Sequence, residues 1–321
     1  MASVKPPLYV SRVLPDPVMA AIRERFELVQ EPLDVSSAPS ALQSGLSDSV
    51  AAIVTLTDRL NADVLAAAPH LKIVANYAVG YNNIDVDAAR RRGIVVTNTP
   101  DVLTDATADL TWALILATAR RVIEGDRLVR SGQWTGWTPT QLLGTAVAGR
   151  TLGIIGMGRI GQAVAQRAAG FRMKVCYCSR RRADSPSDAV AWEFLPLQAL
   201  LAGSDIVTIH VPLTQETRHL IGAQELAKMR RAAILINTAR GPIVDESALV
   251  AALSNREISG AGLDVFEEEP RLHPRLATMP QVVLLPHLGS ATMEARVQMG
   301  MTCVKNIEAV LSGQPAPNRV N

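Results

Sequence analysis

Residues Leu152 to Gly170 read LGIIGMGRIGQAVAQRAAG, and this stretch decides the fold of the chain. It begins with a short apolar run and passes through Gly156, Gly158 and Gly161 in the spacing G-x-G-x-x-G. Apolar residues three and four positions apart follow the glycines, and this periodicity predicts a helix with one buried face. Strand, glycine turn and helix therefore come in the order that a dinucleotide-binding motif requires.

The three glycines have separate mechanical tasks. Gly156 allows the tight turn, Gly158 allows the backbone to approach a pyrophosphate, and Gly161 allows the helix to pack closely on the strand. The pyrophosphate is expected at the helix N-terminus, where free N–H groups and the helix dipole attract an anion. Because the spacing alone is a weak signal, two alternatives stay open: a glycine turn that binds nothing, and a methyltransferase-like nucleoside site.

Composition limits the class of protein. The chain has 321 residues, of which 48% are hydrophobic, and this is enough for two domains with real cores. Its 32 basic and 30 acidic residues give a net charge of +2, too balanced for a nucleic-acid-binding surface, so small-molecule partners are expected. The N-terminus lacks a secretory signal, and the longest uncharged stretch of the apolar segment 101–132 is too short to cross a bilayer. We therefore expect a cytoplasmic protein without membrane contact.

The three cysteines have no cluster of possible metal ligands around them in the sequence. Cys176 and Cys178 share one face of a predicted strand, where a buried structural thiol is the simplest interpretation. We expect neither a metal site nor a disulfide.

Short apolar strands alternate with helices in two series. The first series has predicted strands at 8–13, 51–55, 71–75 and 94–97, with helices at 17–26, 62–68 and 86–91 between them. The second has strands at 151–155, 173–178, 205–210, 233–238, 261–265 and 282–285, with a helix at 245–254. Such alternation predicts an α/β fold with doubly wound parallel sheets. One long helix is predicted within 101–132, and a last helix at about 292–311, without a strand of its own, is expected to return to the first domain.

One segment with possible chemistry is Asn237-Thr238-Ala239-Arg240-Gly241. Arg240 lies just past the C-terminal end of a predicted strand, and ligands of open α/β sheets bind in the crevice at that edge. A guanidinium group offers a planar fork suited to a carboxylate. The alternative is a surface arginine that happens to follow a strand.

A second possibility is the pairing of Glu269 with His287. Glu269 ends the segment GLDVFEEEP and His287 belongs to PHLGS, and each follows an apolar strand, so both are expected at the same edge of the sheet. A carboxylate hydrogen-bonded to an imidazole stabilises the protonated ring and fixes its orientation, which gives a proton donor suited to neutral pH. The alternatives are a structural histidine and a solvated glutamate loop. The sequence gives no reason to place the other four histidines in a site: His70, His210, His219 and His273.

The segments GMGRIG, NTARG, GLDVFEEEP and PHLGSAT together resemble the D-isomer-specific 2-hydroxyacid dehydrogenases. VGYNNID at 79–85 and TDATAD at 104–109 also match that family, so the resemblance extends over essentially the whole chain. It implies two Rossmann-like domains. Residues 1–100 and 287–321 are expected to form a smaller, discontinuous substrate domain, and residues 101–286 a dinucleotide-binding domain with a dimerisation helix and loop.

The resemblance implies hydride transfer between a nicotinamide cofactor and a small 2-oxo acid. It makes Arg240 the substrate-binding and carbonyl-polarising arginine, Glu269 the partner of the catalytic histidine, and His287 the general acid/base. The backbone of Val79 and Gly80 matches the part of the family that holds the substrate carboxylate, and Asp264 matches a contact to the nicotinamide end. The full set of expected cofactor-binding residues is Gly156, Met157, Gly158, Arg159, Ile160, Gly161, Ser179, Arg180, Arg181, Val211, Pro212, Thr238, Ala239, Arg240, Asp264, His287 and Gly289.

The segment GQWTGWTP at 132–139 is similar to glyoxylate/hydroxypyruvate reductases within that family. There a tryptophan reaches the active site of the partner subunit, which makes Trp137 the candidate here and implies a homodimer. A tryptophan packed at the dimer interface without substrate contact is the alternative.

Glyoxylate and hydroxypyruvate are the expected substrates, with 2-ketogluconate and bulkier 2-oxo acids as alternatives. C-terminal-binding corepressors are also similar and use the same fold as a dinucleotide-gated interaction module, but the chain lacks their long polar tails.

The residues after the second strand of the large series predict a preference for NADPH. NAD-specific folds usually place an acid there to bind the ribose 2′-hydroxyl, whereas this chain has Ser179 followed by three arginines. The first carboxylate downstream, Asp184, is too far along the loop to substitute. Ser179, Arg180 and Arg181 are therefore expected to bind a 2′-phosphate, and an exposed basic loop without a ligand is the alternative.

Overall fold

The computed structural model of the chain describes residues 4–34, 39–185 and 191–321. The chain divides into two compact units, residues 1–103 with 290–321 (unit 1) and residues 104–289 (unit 2). The predicted breaks lie three residues earlier, at 100 against 103 and at 286 against 289. Both units are α/β, and the chain leaves unit 1 and returns to it, as the sequence predicts.

Unit 1 contains a five-stranded parallel sheet in the order β2-β1-β3-β4-β5. Its strands are Pro7–Val10 (β1), Glu27–Leu28 (β2), Ala51–Val54 (β3), Ile73–Asn76 (β4) and Val95–Thr97 (β5). Its first helices are Asp16–Arg25 (α1), Pro39–Ser47 (α2), Ala62–Ala66 (α3) and Val86–Arg91 (α4). All residues of β3 and β4 are buried, as expected for parallel strands covered on both faces.

Unit 2 contains a seven-stranded parallel sheet in the order β12-β11-β10-β9-β6-β7-β8. Its strands are Thr151–Ile155 (β6), Lys174–Cys178 (β7), Trp192–Phe194 (β8), Ile206–Ile209 (β9), Ile234–Asn237 (β10), Gly260–Leu263 (β11) and Val282–Leu284 (β12). Its helices are Thr104–Ala119 (α5), Val122–Arg130 (α6), Arg159–Ala168 (α7), Leu197–Gly203 (α8), Ala223–Leu226 (α9) and Glu246–Ser254 (α10). The strand order reverses at β6, between β7 and β9, and ligands of such sheets bind at the carboxyl ends of the strands beside this switch point.

The single long helix predicted within 101–132 is wrong, because the structure has two helices there, α5 and α6. Arg121 adopts a left-handed conformation with φ 54°, which ends the regular helix. Its guanidinium binds Glu124 in the first turn of α6 at 2.8 Å. Helix α5 buries much of its surface, Trp112, Leu114 and Ile115 included, whereas α6 has no buried residue. The two helices therefore have different environments.

The final helix, Met293–Leu311 (α11), belongs to unit 1. The Thr292 side chain accepts a hydrogen bond from the Ala295 N–H at 3.2 Å and caps the helix. A Cβ at Gly300 would lie 2.4 Å from a methyl carbon of Val18, so only glycine allows α11 to lie this close to α1. The tail after α11 returns to the sheet, where the Val320 N–H donates to the Val96 carbonyl at 2.9 Å.

Two short edge strands, β2 and β8, were not predicted. Each has two or three residues, and Trp192 is the one buried side chain of β8. Neither strand therefore has the two buried residues that the short edge strands β5 and β12 each have. Within the described ranges, no helix combines the length and the hydrophobicity needed to cross a membrane.

Candidate active site

The glycine turn joins β6 to α7 at the switch point of the unit 2 sheet. Gly156 has φ 100°, and a Cβ there would lie 2.5 Å from the His210 carbonyl oxygen. A Cβ at Gly161 would lie 2.1 Å from the Gly156 carbonyl oxygen. At Gly158, by contrast, a Cβ would meet no atom within 4 Å. Packing thus requires two of the glycines, while the third faces open space, where a ligand can approach the backbone.

The backbone of this turn offers unpaired donors. The N–H groups of Met157, Gly158 and Ile160 donate no hydrogen bond to any described residue. Since α7 begins at Arg159, these groups lie at a helix N-terminus, where the dipole also favours negative charge. The turn therefore fits the pyrophosphate of a dinucleotide.

The neighbouring strand ends lie at the same edge of the sheet. Val211 and Pro212 follow β9, and a methyl carbon of Val211 would lie 2.8 Å from a Cβ at Gly156. Thr238, after β10, is buried, and its hydroxyl lies 3.0 Å from that of Thr111 in α5. The Thr238 hydroxyl thus bonds within unit 2, and Val211 lies directly beside the glycine turn.

The basic segment after β7 has its arginines in different environments. The Ser179 hydroxyl donates to the Arg181 carbonyl. Arg180, Arg181 and Arg182 are all exposed, and the Arg182 guanidinium lies over the Phe194 ring, 5.1 Å from its centre. A hydrogen bond involving Thr214 is the largest cause of a lowered pKa at Glu216, and the charge of Arg180 adds to it.

Arg240 follows β10 and precedes a short 3-10 turn, Gly241–Ile243. The Asn237 side-chain amide donates to the Arg240 carbonyl at 2.9 Å, and the Arg240 Nη1 donates to the Ala239 carbonyl at 2.7 Å. Burial lowers the pKa of the Arg240 guanidinium, and the negative charge of Glu269 opposes this effect. Arginine remains cationic at neutral pH under such conditions, so the site contains a fixed positive charge.

Glu269 and His287 are in direct contact. The Glu269 Oε2 lies 2.9 Å from the His287 Nδ1, and the Glu269 Oε1 accepts the Phe266 N–H at 3.0 Å. Burial acts to raise the pKa of Glu269, but the hydrogen bond and charge of His287, the Phe266 amide and the charge of Arg240 together lower it. Glu269 is thus ionised at neutral pH and can stabilise a protonated His287 ring. The His287 Nε2 forms no hydrogen bond to any described residue, which leaves this atom available for proton transfer.

Asp264 holds the backbone that carries His287. Its two carboxylate oxygens accept the N–H groups of Leu288 and Gly289 at 2.6 and 2.8 Å, and its carbonyl accepts the His287 N–H at 2.9 Å. His287 has φ 56°, a left-handed conformation that costs a non-glycine residue about 1–3 kcal/mol. Burial raises the pKa of the fully buried Asp264 carboxyl. The sequence suggested a nicotinamide contact for Asp264 and did not reveal this role in fixing His287.

Val79 and Gly80, in unit 1, belong to the turn after β4. Their carbonyl groups are bound from inside the unit: the Asn98 amide donates to Val79 and the Asn76 amide to Gly80, each at 2.8 Å. Their N–H groups donate to no described residue. Adjacent free N–H groups form a concave donor surface for an anion. Asn76 and Asn98 were not predicted, although both lie where a strand ends.

Trp137 lies in the irregular segment after α6 and has 80% of its surface exposed; the neighbouring Trp134 is 51% exposed. Two tryptophans exposed within four residues of sequence give this segment apolar surface that a partner could cover. The described fold of one chain therefore does not bury either side chain.

The model of the family described as "D-isomer specific 2-hydroxyacid dehydrogenase, NAD binding domain" matches residues 112–289. A glyoxylate reductase from Thermococcus gammatolerans is 48% identical over 322 residues, which cover 99% of this chain and 96% of that protein. The chain belongs to the D-isomer specific 2-hydroxyacid dehydrogenase family. It is accordingly a nicotinamide-dinucleotide-dependent oxidoreductase of the class that reduces 2-oxo acids, and the free N–H groups of the glycine turn fit that cofactor.

Solved structures support the same assignment. The crystal structure of a protein from Thermus thermophilus has a TM-score of 0.92 and 45% identity, covering 98% of this chain and all (100%) of that one. The NADPH-dependent glyoxylate/hydroxypyruvate reductase from Sinorhizobium meliloti, in complex with NADP and malonate, has a TM-score of 0.87 and 36% identity. That match covers 98% of this chain and 97% of the reductase. This dehydrogenase therefore shares its fold with a solved NADPH-dependent reductase over nearly its whole length.

Proposed function

We propose that this dehydrogenase reduces glyoxylate and hydroxypyruvate to the corresponding 2-hydroxy acids, with NADPH preferred and His287 as the general acid. The main observation behind this proposal is the 2.9 Å contact between His287 and Glu269, beside the cationic Arg240. The relatives named glyoxylate reductase and glyoxylate/hydroxypyruvate reductase support this choice of substrate.

In this mechanism the bound nicotinamide supplies the hydride. His287 donates its proton from Nε2 to the oxygen of the keto group, while Glu269 stabilises the protonated ring and fixes its orientation. Arg240 neutralises charge on the substrate carboxylate and on the developing alkoxide, and such electrostatic stabilisation is commonly the largest catalytic contribution. In unit 1, we assign the free N–H groups of Val79 and Gly80 to the substrate carboxylate.

The preference for NADPH rests on the segment after β7. Ser179 stands at the position where an acid would repel a 2′-phosphate, and Arg180 and Arg181 are exposed. Arg182 is held over Phe194 and is not assigned to the cofactor. The Ser179 hydroxyl has to rotate away from the Arg181 carbonyl in order to donate to the phosphate.

We further propose a homodimer in which Trp137 reaches the partner subunit's active site. Helix α5 gives this proposal little support, because it buries Trp112, Leu114 and Ile115 in the core of unit 2. The better support is the exposed apolar surface of α6 and the segment after it, formed by Val122, Val129, Trp134, Trp137 and Leu143. A second copy of the chain would cover this surface.

The experiment that tests the function is the oxidation of NADPH and of NADH, measured with a panel of 2-oxo acids. We expect the highest kcat/KM with glyoxylate or hydroxypyruvate, and lower values with 2-ketogluconate and bulkier acids. A maximum at 2-ketogluconate would replace the proposed substrate. No turnover with any acid, in a protein that binds NADPH, would instead support an interaction module.

A further inference from the structure

Glu246, Glu267 and His219 form a polar cluster in unit 2, outside the residues assigned to catalysis. We propose that this cluster, here called the clasp, positions Glu269 and Arg240 for the reaction. The inference rests on the proposed function, because it concerns how the acid/base pair is held. The three members are positioning residues, since they act through the segments that contain Glu269 and Arg240.

The two glutamates of the clasp bind each other's backbone. The Glu267 N–H donates to the Glu246 Oε1 at 2.6 Å, and the Glu246 N–H donates to the Glu267 Oε2 at 3.3 Å. The other Glu246 oxygen accepts the His273 N–H at 3.1 Å. Glu246 is buried at the first turn of α10, so both ends of the segment 267–273 are fixed to one carboxylate on a rigid helix. Buried carboxylates need such donors, and breaking the bonds would leave unsatisfied groups.

His219 adds a third segment to the clasp. Its Nε2 lies 2.5 Å from the Glu267 Oε1, and its N–H donates to the Pro242 carbonyl at 2.8 Å. His219 has φ 50°, a backbone conformation uncommon for a residue other than glycine. Because Pro242 follows Arg240 by two residues, His219 connects the segment of Glu267 with the segment of Arg240.

The clasp is linked to the catalytic pair through Phe266 and Gly241. The Phe266 N–H donates to Glu269 at 3.0 Å, so the segment that Glu246 fixes also orients the carboxylate that binds His287. A Cβ at Gly241 would lie 1.9 Å from the Phe266 carbonyl carbon, which shows how closely the two segments pack. A shift of Glu267 would therefore move both Glu269 and the backbone beside Arg240.

Loss of the clasp should change the pH dependence of the reaction. The charged groups that act on Glu269 are His287, Arg240 and Asp264. If Glu269 moves away from His287, the protonated ring loses its stabilising partner. Because reduction requires the protonated ring, the fall of kcat/KM on the alkaline side should then begin at a lower pH.

The test compares Glu267→Gln with Glu268→Gln, which removes the same charge one residue along the chain. Glu268 is exposed and pairs with Arg271, three residues away, at 3.2 Å, so its replacement is the matched control. For Glu267→Gln we expect a kcat about tenfold lower and an unchanged Kd for NADPH. In the pH profile of kcat/KM, the fall on the alkaline side (the alkaline limb) should be displaced to lower pH. Glu268→Gln should leave all three values unchanged. His219→Ala, which leaves both glutamates in place, should reproduce the effect if Glu267→Gln fails to fold.

A double variant separates positioning from general loss of stability. In the Glu269→Gln background, Glu267→Gln should displace the alkaline limb no further, because the group through which it acts is already gone. A pH profile like that of the wild type in both Glu267→Gln and His219→Ala, with only the Tm lowered, would overturn the clasp. Failure of the proposed function is distinguishable, since it would appear as full turnover in His287→Ala.

Discussion

At the scale of single residues, the candidate site depends on groups that hold the backbone and the ring of His287 in place. Asp264 accepts three N–H groups around a left-handed His287, and Glu269 binds the ring. Each of these contacts restrains the position of one atom, the His287 Nε2. The ring is thus held in one orientation, as the proposed proton transfer from this atom requires.

Arg240→Ala is expected to raise the KM for the 2-oxo acid and to lower kcat, because the guanidinium is assigned to both the ground state and the transition state. The two parameters are measured by steady-state kinetics with saturating NADPH. Arg182→Ala is the control, since that guanidinium lies over Phe194. A change in KM alone would limit Arg240 to substrate binding.

The lowered pKa of Glu269 gives a pH-dependent contribution to stability. A carboxyl with a depressed pKa in the folded state stabilises the fold above its unfolded pKa, about 4.5, and this contribution is lost as the pH falls through the folded value. We therefore expect Glu269→Gln to lower the free energy of unfolding at pH 5, where Glu269 is ionised, and this difference should shrink as the pH falls below 4.5 in urea titrations at each pH. A difference that grows as the pH falls below 4.5 would contradict the assigned direction.

The residues that could be predicted are those whose position follows from one nearby strand. Glu269 and His287 each follow a strand of the same parallel sheet, and the structure places them 2.9 Å apart. The roles of Asn76 and Asn98 depend on which carbonyl groups their amides meet after folding. His219 meets Glu267 across 48 residues of sequence, and no local pattern indicates that contact.

At the scale of secondary-structure elements, strands with a run of apolar residues were predictable, the three-residue edge strands β5 and β12 included, whereas the edge strands β2 and β8 were not. Strand β6, the glycine turn and α7 follow from apolar periodicity and three glycines, two of which packing requires. The break between α5 and α6 was missed because an arginine in the left-handed conformation leaves no sequence signal. That break separates a helix with eight buried residues from one that has none.

The segment after β7 gives the prediction on cofactor choice. Charge-assisted hydrogen bonds to a 2′-phosphate contribute about 1.5–3 kcal/mol each, so one contact should favour NADPH by roughly tenfold to a hundredfold. We expect kcat/KM to fall for NADPH but not for NADH in Arg180→Ala combined with Arg181→Ala. Arg182→Ala is the matched control. Equal kcat/KM for the two cofactors in the wild type would show that these arginines do not contact the ribose.

At the scale of the whole molecule, two parallel-sheet units share the chain, and α6 with its following segment leaves apolar side chains exposed. Val129 is 58% exposed on α6, and Trp137 is 80% exposed. Exposed apolar side chains of this kind support the proposed association with a second copy of the chain. The sequence predicts such association through the tryptophan segment, and the exposed side chains of α6 add a second segment to the proposed interface.

We expect the protein to be a homodimer at micromolar concentration in light scattering. Val129→Glu places a charge on the proposed interface and should yield monomers, whereas Val4→Glu, at an exposed site in unit 1, should not. If Trp137 reaches the partner's site, Trp137→Ala should raise the KM for the 2-oxo acid while the dimer persists. A monomeric wild type would remove Trp137 from the active site.

The central claim is that His287 is the proton donor in the reduction of a 2-oxo acid, and His287→Ala tests it most directly. Single-turnover and steady-state rates with glyoxylate and NADPH should fall by at least about 100-fold, the usual loss when a general acid is removed, while the Kd for NADPH stays near the wild-type value. His70→Ala, at an exposed histidine of unit 1, serves as the control and should retain full activity. Near-normal turnover in His287→Ala would contradict the mechanism.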